Sequence, residues 1–132
     1  MTNESDRILI VGRNMAGAEE LASFFSAAPY DVETCRGVTE AIQRIKDARF
    51  DCMIMDVKLP EMMGYEAVPI IKAIDPSLNI IMTTAENTKE LEIKARQQDI
   101  FYYYISSFDR KELETAVRNV FEKVRRDRKR KQ

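Results

Sequence analysis

The 132-residue chain has no histidine and no tryptophan, two cysteines, four glycines and four prolines. Without histidine there is no Ser-His-Asp or Cys-His nucleophile system, no His-ligated zinc and no histidine-borne phosphoryl group. Any chemistry falls to carboxylates, hydroxyls and lysines. Cys35 and Cys52 fit neither a disulfide framework nor a metal-ligand spacing. Their strand-like neighbours make them buried thiols of a reducing cytoplasm. Long apolar runs are missing too. Ile8–Val11 and Phe101–Ile105 are far too short to cross a bilayer, and Met1–Asp6 lacks the apolar core of a signal peptide. These absences predict a soluble cytoplasmic domain with no membrane partner.

The length suits one domain, able to bury roughly 65–70% of its unfolded surface. The net charge of −1 conceals a segregation. Residues 1–122 carry 14 Lys and Arg against 21 Asp and Glu, a net −7, whereas residues 123–132 carry seven basic residues and only Asp127, a net +6. An acidic body argues against nucleic-acid binding by the folded part. The basic end reads as a solvated helix terminus or the stub of a linker, where cations also suit the helix dipole.

Short β-type runs alternate with helical patterns, which predicts a wound parallel sheet. Strands are expected at Ile8–Val11, Tyr30–Cys35, Phe50–Met55, Asn79–Thr83 and Ile100–Tyr104. The second, half-polar, belongs at an edge. The first helix carries Leu21, Phe24, Phe25 and Ala28 at helical spacing and ends at Pro29. The second runs through Val38, Ala41, Ile42 and Ile45. The third carries Ala67, Ile70, Ile71 and Ile74, with Pro69 near its first turns. The fourth, near 88–98, has few apolar positions and is expected to be exposed or mobile. The last has a stripe of Leu113, Ala116, Val117, Val120, Phe121 and Val124, opened by Asp109 and Glu112 in the manner of a capping box. In Phe101-Tyr102-Tyr103-Tyr104, strand alternation should bury two of the four and expose two.

Ligands of open parallel sheets gather at the carboxyl ends of the strands. The residues placed there are Gly12-Arg13-Asn14, Asp56, Thr83-Thr84 and Ser106-Ser107. Asp56 closes a strand of Met and Ile and must be solvated or partnered. A nucleotide loop is disfavoured on residue types. Gly12 to Gly17 has phosphate-loop spacing, but Ala18-Glu19 stand where Lys and Ser/Thr are needed, and Asn14 replaces the middle glycine of G-x-G-x-x-G.

The stretch from Phe50 through Asp56-Val57-Lys58-Leu59-Pro60 to Gly64 closely resembles the third strand and following loop of response-regulator receiver domains. Ile80-Ile81-Met82-Thr83-Thr84-Ala85 is similar to that family's fourth strand, and Tyr103 falls on its rotating aromatic position. The resemblance covers residues 7–124 and leaves 125–132 as the basic tail or linker stub. It implies a flavodoxin-like (βα)5 three-layer sandwich on a five-stranded parallel sheet. It also implies Asp56 as phosphoacceptor, Thr84 and Tyr103 as the switch, and Mg2+ as cofactor with a backbone contact at Lys58. The implied partners are a sensor histidine kinase or other phosphodonor protein, an output domain or target protein, and a second copy in a homodimer.

Two departures accompany the match. The family's metal-binding acidic pair is replaced by Gly12 and Arg13, and its Lys-Pro by Ser106 and Ser107. Phosphoryl transfer to a carboxylate brings two anions together and depends on positioning and charge neutralisation. Mg2+ is typically held by one or two carboxylates, and Asp56 is expected to be the only one in the pocket. A serine hydroxyl cannot replace an ammonium, so metal-assisted phosphorylation should be impaired. Arg13 either points to solvent or reaches Asp56, where a pair about 4 Å apart would gain about 4 kcal/mol before desolvation. A Ser106–Ser107 cis bond, of the kind the family's Lys-Pro usually adopts, would cost about 3 kcal/mol, so a trans bond is expected. The sequence thus predicts a regulatory phosphoacceptor domain and not an independent enzyme. A phosphorylation-independent interaction or dimerisation module and a small-ligand α/β domain remain open alternatives.

Overall fold

A computed structural model describes residues 6–27, 30–106 and 109–130. The elements alternate as β1 (Asp6–Val11), α1 (Met15–Ser26), β2 (Tyr30–Cys35), α2 (Val38–Asp47), β3 (Cys52–Asp56), α3 (Gly64–Ile74), β4 (Asn79–Thr84), α4 (Lys89–Arg96), β5 (Tyr102–Ile105) and α5 (Arg110–Arg130). The five strands form one parallel sheet in the order β2-β1-β3-β4-β5, with β2 at the edge as its half-polar sequence predicts. The chain order reverses between β1 and β3, the crevice where ligands of such sheets collect.

Helices cover both faces of the sheet, and alternation along each strand feeds two cores. Leu9, Val11, Met53, Met55, Ile80 and Met82 pack towards α2, α3 and α4, whereas Ile8, Ile10, Cys52, Ile54 and Ile81 pack towards α1 and α5. This is the expected three-layer (βα)5 sandwich. Both cysteines are buried and free. Burial pushes the Cys35 thiol up to about 12 and the Cys52 thiol higher still.

Several packing details differ from the sequence pattern. Phe24 in α1 and Ile70 and Ile74 in α3 are exposed, because the inward faces are carried by Phe25 and by Gly64, Ala67, Val68 and Ile71. An apolar residue at helical spacing lies on a broad stripe, and only the neighbouring elements decide which edge of it is covered. In the tyrosine run, Tyr103 and Tyr104 are both buried although adjacent, since each face of the sheet has a core. Phe101 and Tyr102 are half-buried rather than exposed. The fourth helix is short and polar as expected, with Leu91 and Ala95 inward and Ile93 exposed. Pro69 lies inside α3, which continues past it. The first helix ends at Ser26 with Ala27 as its C-cap, short of the expected Pro29; Ala28 and Pro29 lie outside the described residues.

The last helix is longer than its apolar stripe. Asp109 Oδ1 accepts from the Lys111 N–H at 2.9 Å, as a capping residue does, and the Glu112 carboxylate accepts from the Tyr102 hydroxyl. Beyond Phe121 the basic residues are drawn to carboxylates at the amino ends of the strands. Arg125 meets Asp6 at 2.6 Å and Arg128 meets Asp51 at 3.3 Å, and Lys123 pairs with Asp127. Part of the +6 end is therefore docked on the acidic body rather than projecting from it.

Candidate functional site

Strand β3 is central, so its last residue emerges between β1 and β4. Asp56 stands opposite Thr83 in register, one step beyond the Val11–Met55 pair. Gly12 leaves β1 with its N–H on the Cys35 carbonyl at 3.1 Å, and Ser106 leaves β5 with its N–H on the Thr84 carbonyl at 2.8 Å. The sheet thus brings Gly12, Arg13, Asp56, Thr84 and Ser106 to one rim, as the sequence predicts. Ser107 and its peptide bond with Ser106 lie outside the described residues.

The cleft at Asp56 is small, about 50 Å³, and is lined by Arg13, Asp56, Val57, Lys58, Thr84, Ala85 and Glu86. Asp56 is half-buried, and its Oδ1 accepts from the Lys58 N–H at 3.2 Å. Burial raises its pKa above the ordinary aspartate value, opposed by the Lys58 N–H and then by the Arg13 guanidinium. Of the two expectations for Arg13, neither holds alone. The residue is exposed and forms no direct ion pair with Asp56, yet it lines the same cleft and acts on the carboxylate through space.

Glu86 corrects the expectation that Asp56 is the only carboxylate in the pocket. The Thr84 hydroxyl donates to the Glu86 carbonyl at 3.1 Å and accepts from the Glu86 N–H at 3.3 Å. That turn folds Glu86 back over the cleft. The Thr84-Ala85-Glu86 spacing carried the signal, since a threonine that closes a turn with the residue two further on presents that residue at the same rim. Thr84 itself is buried. Tyr103, the other expected switch residue, does not line the cleft. It lies buried against the α4 side, donates its hydroxyl to Asn87 Oδ1 at 2.7 Å, and has the Arg96 guanidinium 5.4 Å from its ring centre. Burial raises its pKa above that of an ordinary phenol.

The site does not fit a divalent cation. Gly12 offers no side chain, Arg13 and Lys58 place cations at the rim, and Glu86 is exposed at the outer edge. Among the described residues no three His, Cys, Asp or Glu side chains converge on a common point. A hard cation that needs oxygen ligands would meet positive charge where the expected carboxylates are missing.

A half-buried aspartate with a raised pKa costs folding energy when ionised. That cost is present above its folded pKa and vanishes as the pH falls through it. Asp56→Asn is therefore expected to stabilise the domain at neutral pH by about 1 kcal/mol. Scanning calorimetry should show the gain shrinking as the buffer is acidified.

A rim aspartate that ends the central strand, a threonine that ends the next and an inward aromatic on the one beyond, on a 2-1-3-4-5 sheet, define a phosphoacceptor-type signalling domain. The chain belongs to the response regulator receiver domain family, whose model matches residues 8–118. It is 31% identical over 110 residues to the DNA-binding transcriptional regulator NtrC of Azospirillum brasilense, an alignment covering 83% of this chain and 23% of that protein. It is 28% identical over 116 residues to the chemotaxis protein CheY of Thermotoga maritima, covering 86% and 96% of the two chains. Among solved structures, the signal receiver domain of an HD domain-containing protein from Pseudomonas fluorescens Pf-5 superimposes with a TM-score of 0.89 at 27% identity, covering 98% and 96%. The family is a regulatory phosphoacceptor family whose members generally use Mg2+ in phosphorylation. This chain therefore spans about a quarter of the NtrC relative and nearly all of the CheY relative. Among the described residues no helix is long and apolar enough to cross a membrane.

Proposed function

We propose that this receiver domain keeps Asp56 as its phosphoacceptor position but has lost the metal-assisted route to phosphorylation. One observation carries the reading: Arg13 lines the cleft at Asp56 from the turn after β1, where a metal-using receiver carries its acidic pair. Receiver chemistry rests on neutralising the charge that develops between donor and aspartate. Arg13 and Lys58 supply some of that neutralisation, but neither touches the aspartate carboxylate through its cationic group. The ammonium expected at position 106 is a serine. Phosphoryl groups, where they arrive, come from a sensor histidine kinase or other phosphodonor protein, since this chain has no histidine. The receiving partner is an output domain or target protein, and a homodimer is one form that contact takes.

A phosphorylation-independent docking module is the second reading, favoured by a specific observation. The Thr84 hydroxyl is closed onto Glu86, and Tyr103 is held inward on Asn87, so both switch positions are engaged by groups of the chain itself. An organic ligand at Asp56 has no such support, because the cleft is several times smaller than the roughly 300–1,000 Å³ of small-molecule sites.

Incubation with a small phosphodonor, with and without Mg2+, followed by mass spectrometry, tests the proposal. The expected outcome is a low adduct yield that Mg2+ does not raise. A Mg2+-dependent adduct, removed by Asp56→Ala, would overturn it. A metal-independent adduct removed by Asp56→Ala supports Asp56 as acceptor, and complete inertness favours the docking module.

A further inference from the structure

We propose that Glu61 is a positioning residue that couples the amino end of α2 to the Asp56 site. The observations behind it do not involve phosphorylation, so it stands apart from the reading above.

A helix begins with N–H groups that have no partner within the helix. They are usually capped by the side chain of the preceding residue, but at α2 that residue is Gly37, which has none. The cap comes from a different segment. Glu61, in the loop between β3 and α3, accepts from the Val38 N–H at 3.0 Å through Oε1 and from the Thr39 N–H at 3.2 Å through Oε2. These bonds hold the Glu61 carboxyl below the usual glutamate pKa. Glycine at 37 is what admits the carboxylate: a Cβ there would lie 2.3 Å from Glu61 Oε1. The Gly37 backbone is extended, so the requirement is space and not conformation.

The same loop fixes Asp56. Its first turn gives the Lys58 N–H to Asp56 Oδ1 at 3.2 Å. Its two ends are tied by the bridge between Lys58 and Met63 and by the Gly64 N–H on the Val57 carbonyl at 2.7 Å. The loop is thus closed at its base on Asp56 and pinned at its tip to α2 by one carboxylate. A displacement at residues 37–39 passes through Glu61 to the amide that holds Asp56, and the reverse holds by linkage. This makes the turn between β2 and α2 a route by which a bound partner reaches Asp56 without entering its cleft.

Amide hydrogen exchange on the full chain, residue by residue by NMR, tests the coupling. Glu61→Ala should speed exchange by about tenfold at Val38 and Thr39, the usual cost of a lost cap. It should also speed exchange at Lys58 and Gly64. Gly37→Ala should reproduce both effects, since its Cβ expels the flexible Glu61 carboxylate while leaving the backbone unstrained. Glu61→Gln, which keeps an acceptor oxygen, should restore part of the protection. Asp56→Ala, which removes the acceptor of the Lys58 N–H, should loosen Val38 and Thr39, whereas Asp56→Asn should not. Faster exchange confined to Val38 and Thr39 would make Glu61 a helix cap only and overturn the proposal. So would unchanged exchange in Glu61→Ala, or an Asp56→Ala variant that leaves Val38 and Thr39 untouched.

Discussion

The triple variant Gly12→Asp/Arg13→Asp/Ser106→Lys is expected to bind Mg2+ and to accept a phosphoryl group on Asp56 about 10²-fold faster than the parent chain. The three positions stand on the rim that carries Asp56, and each change supplies the charge that the parent lacks there. Two carboxylates beside Asp56 make the oxygen-rich site a hard cation requires, and an ammonium at 106 faces a phosphoryl oxygen. The backbone admits the change. A Cβ at position 12 meets the Ala18 Cβ at 3.3 Å, a contact that a few tenths of an ångström of movement relieve, and the Asn14 carbonyl at an ordinary 3.6 Å. Without metal, the added carboxylates repel one another and Asp56, so the variant should melt below the parent in low salt. Mg2+ should restore its melting temperature by mass action while leaving that of the parent unchanged. Calorimetric titration with Mg2+ and mass spectrometry after phosphodonor treatment provide the readouts. If Mg2+ neither binds nor assists, the placement of the site at this rim is wrong.

Gly64→Ala is expected to be the most damaging of the four Gly→Ala changes, with a loss of about 3 kcal/mol and a fall in melting temperature of about 10 °C. Gly64 is buried at the first position of α3, and a Cβ on it would lie 2.5 Å from the Asp56 carbonyl oxygen and 3.2 Å from the Val57 Cα. The obstacle is backbone and cannot swing aside. Relief requires α3 to withdraw from the end of β3, which would also lengthen the bond from the Gly64 N–H to the Val57 carbonyl. Gly17→Ala is the matched control. It lies in α1 with nothing within 4 Å of the added methyl, and should gain about 0.5 kcal/mol through helix propensity. Thermal unfolding followed by circular dichroism compares the two. A Gly64→Ala chain as stable as the parent would show that α3 does not rest on the Asp56 carbonyl.

The Gly64 case also explains why part of the site was legible before any coordinates. Asp56 and Gly64 flank the single loop that carries Pro60, and the close approach that demands the glycine is made by backbone near in sequence. Gly12, Arg13 and Ser106 were equally readable as departures, because each directly follows a strand whose apolar run marks where it ends. Glu61 was not, and Glu86 carried only the weak signal of a threonine two residues before it. Glu86 reaches the cleft only because Thr84 folds the chain back with two hydrogen bonds. Glu61 matters because the cap missing at Gly37 is made by a residue 24 positions later. Arg13 gave two readings that the chain alone could not separate, since its distance from Asp56 depends on how the turn after β1 sits against the loop after β3.

The amino-acid sequence by itself determined the alternation of strands and helices, the edge position of β2, and the absence of histidine chemistry. It also determined the presence of a lone aspartate where the third strand ends without the acidic pair that should accompany it. These follow from patterns read over a few residues: apolar runs where both faces are covered, helical spacing and residue type at strand ends. The tertiary structure alone decided which apolar positions turn outward, as Ile70 and Ile74 do. It alone showed the basic end of α5 docking on Asp6 and Asp51. It placed Glu86 at the cleft and Glu61 on α2. Each of these is a contact between segments distant along the chain, fixed by how the layers pack and left open by local residue pattern.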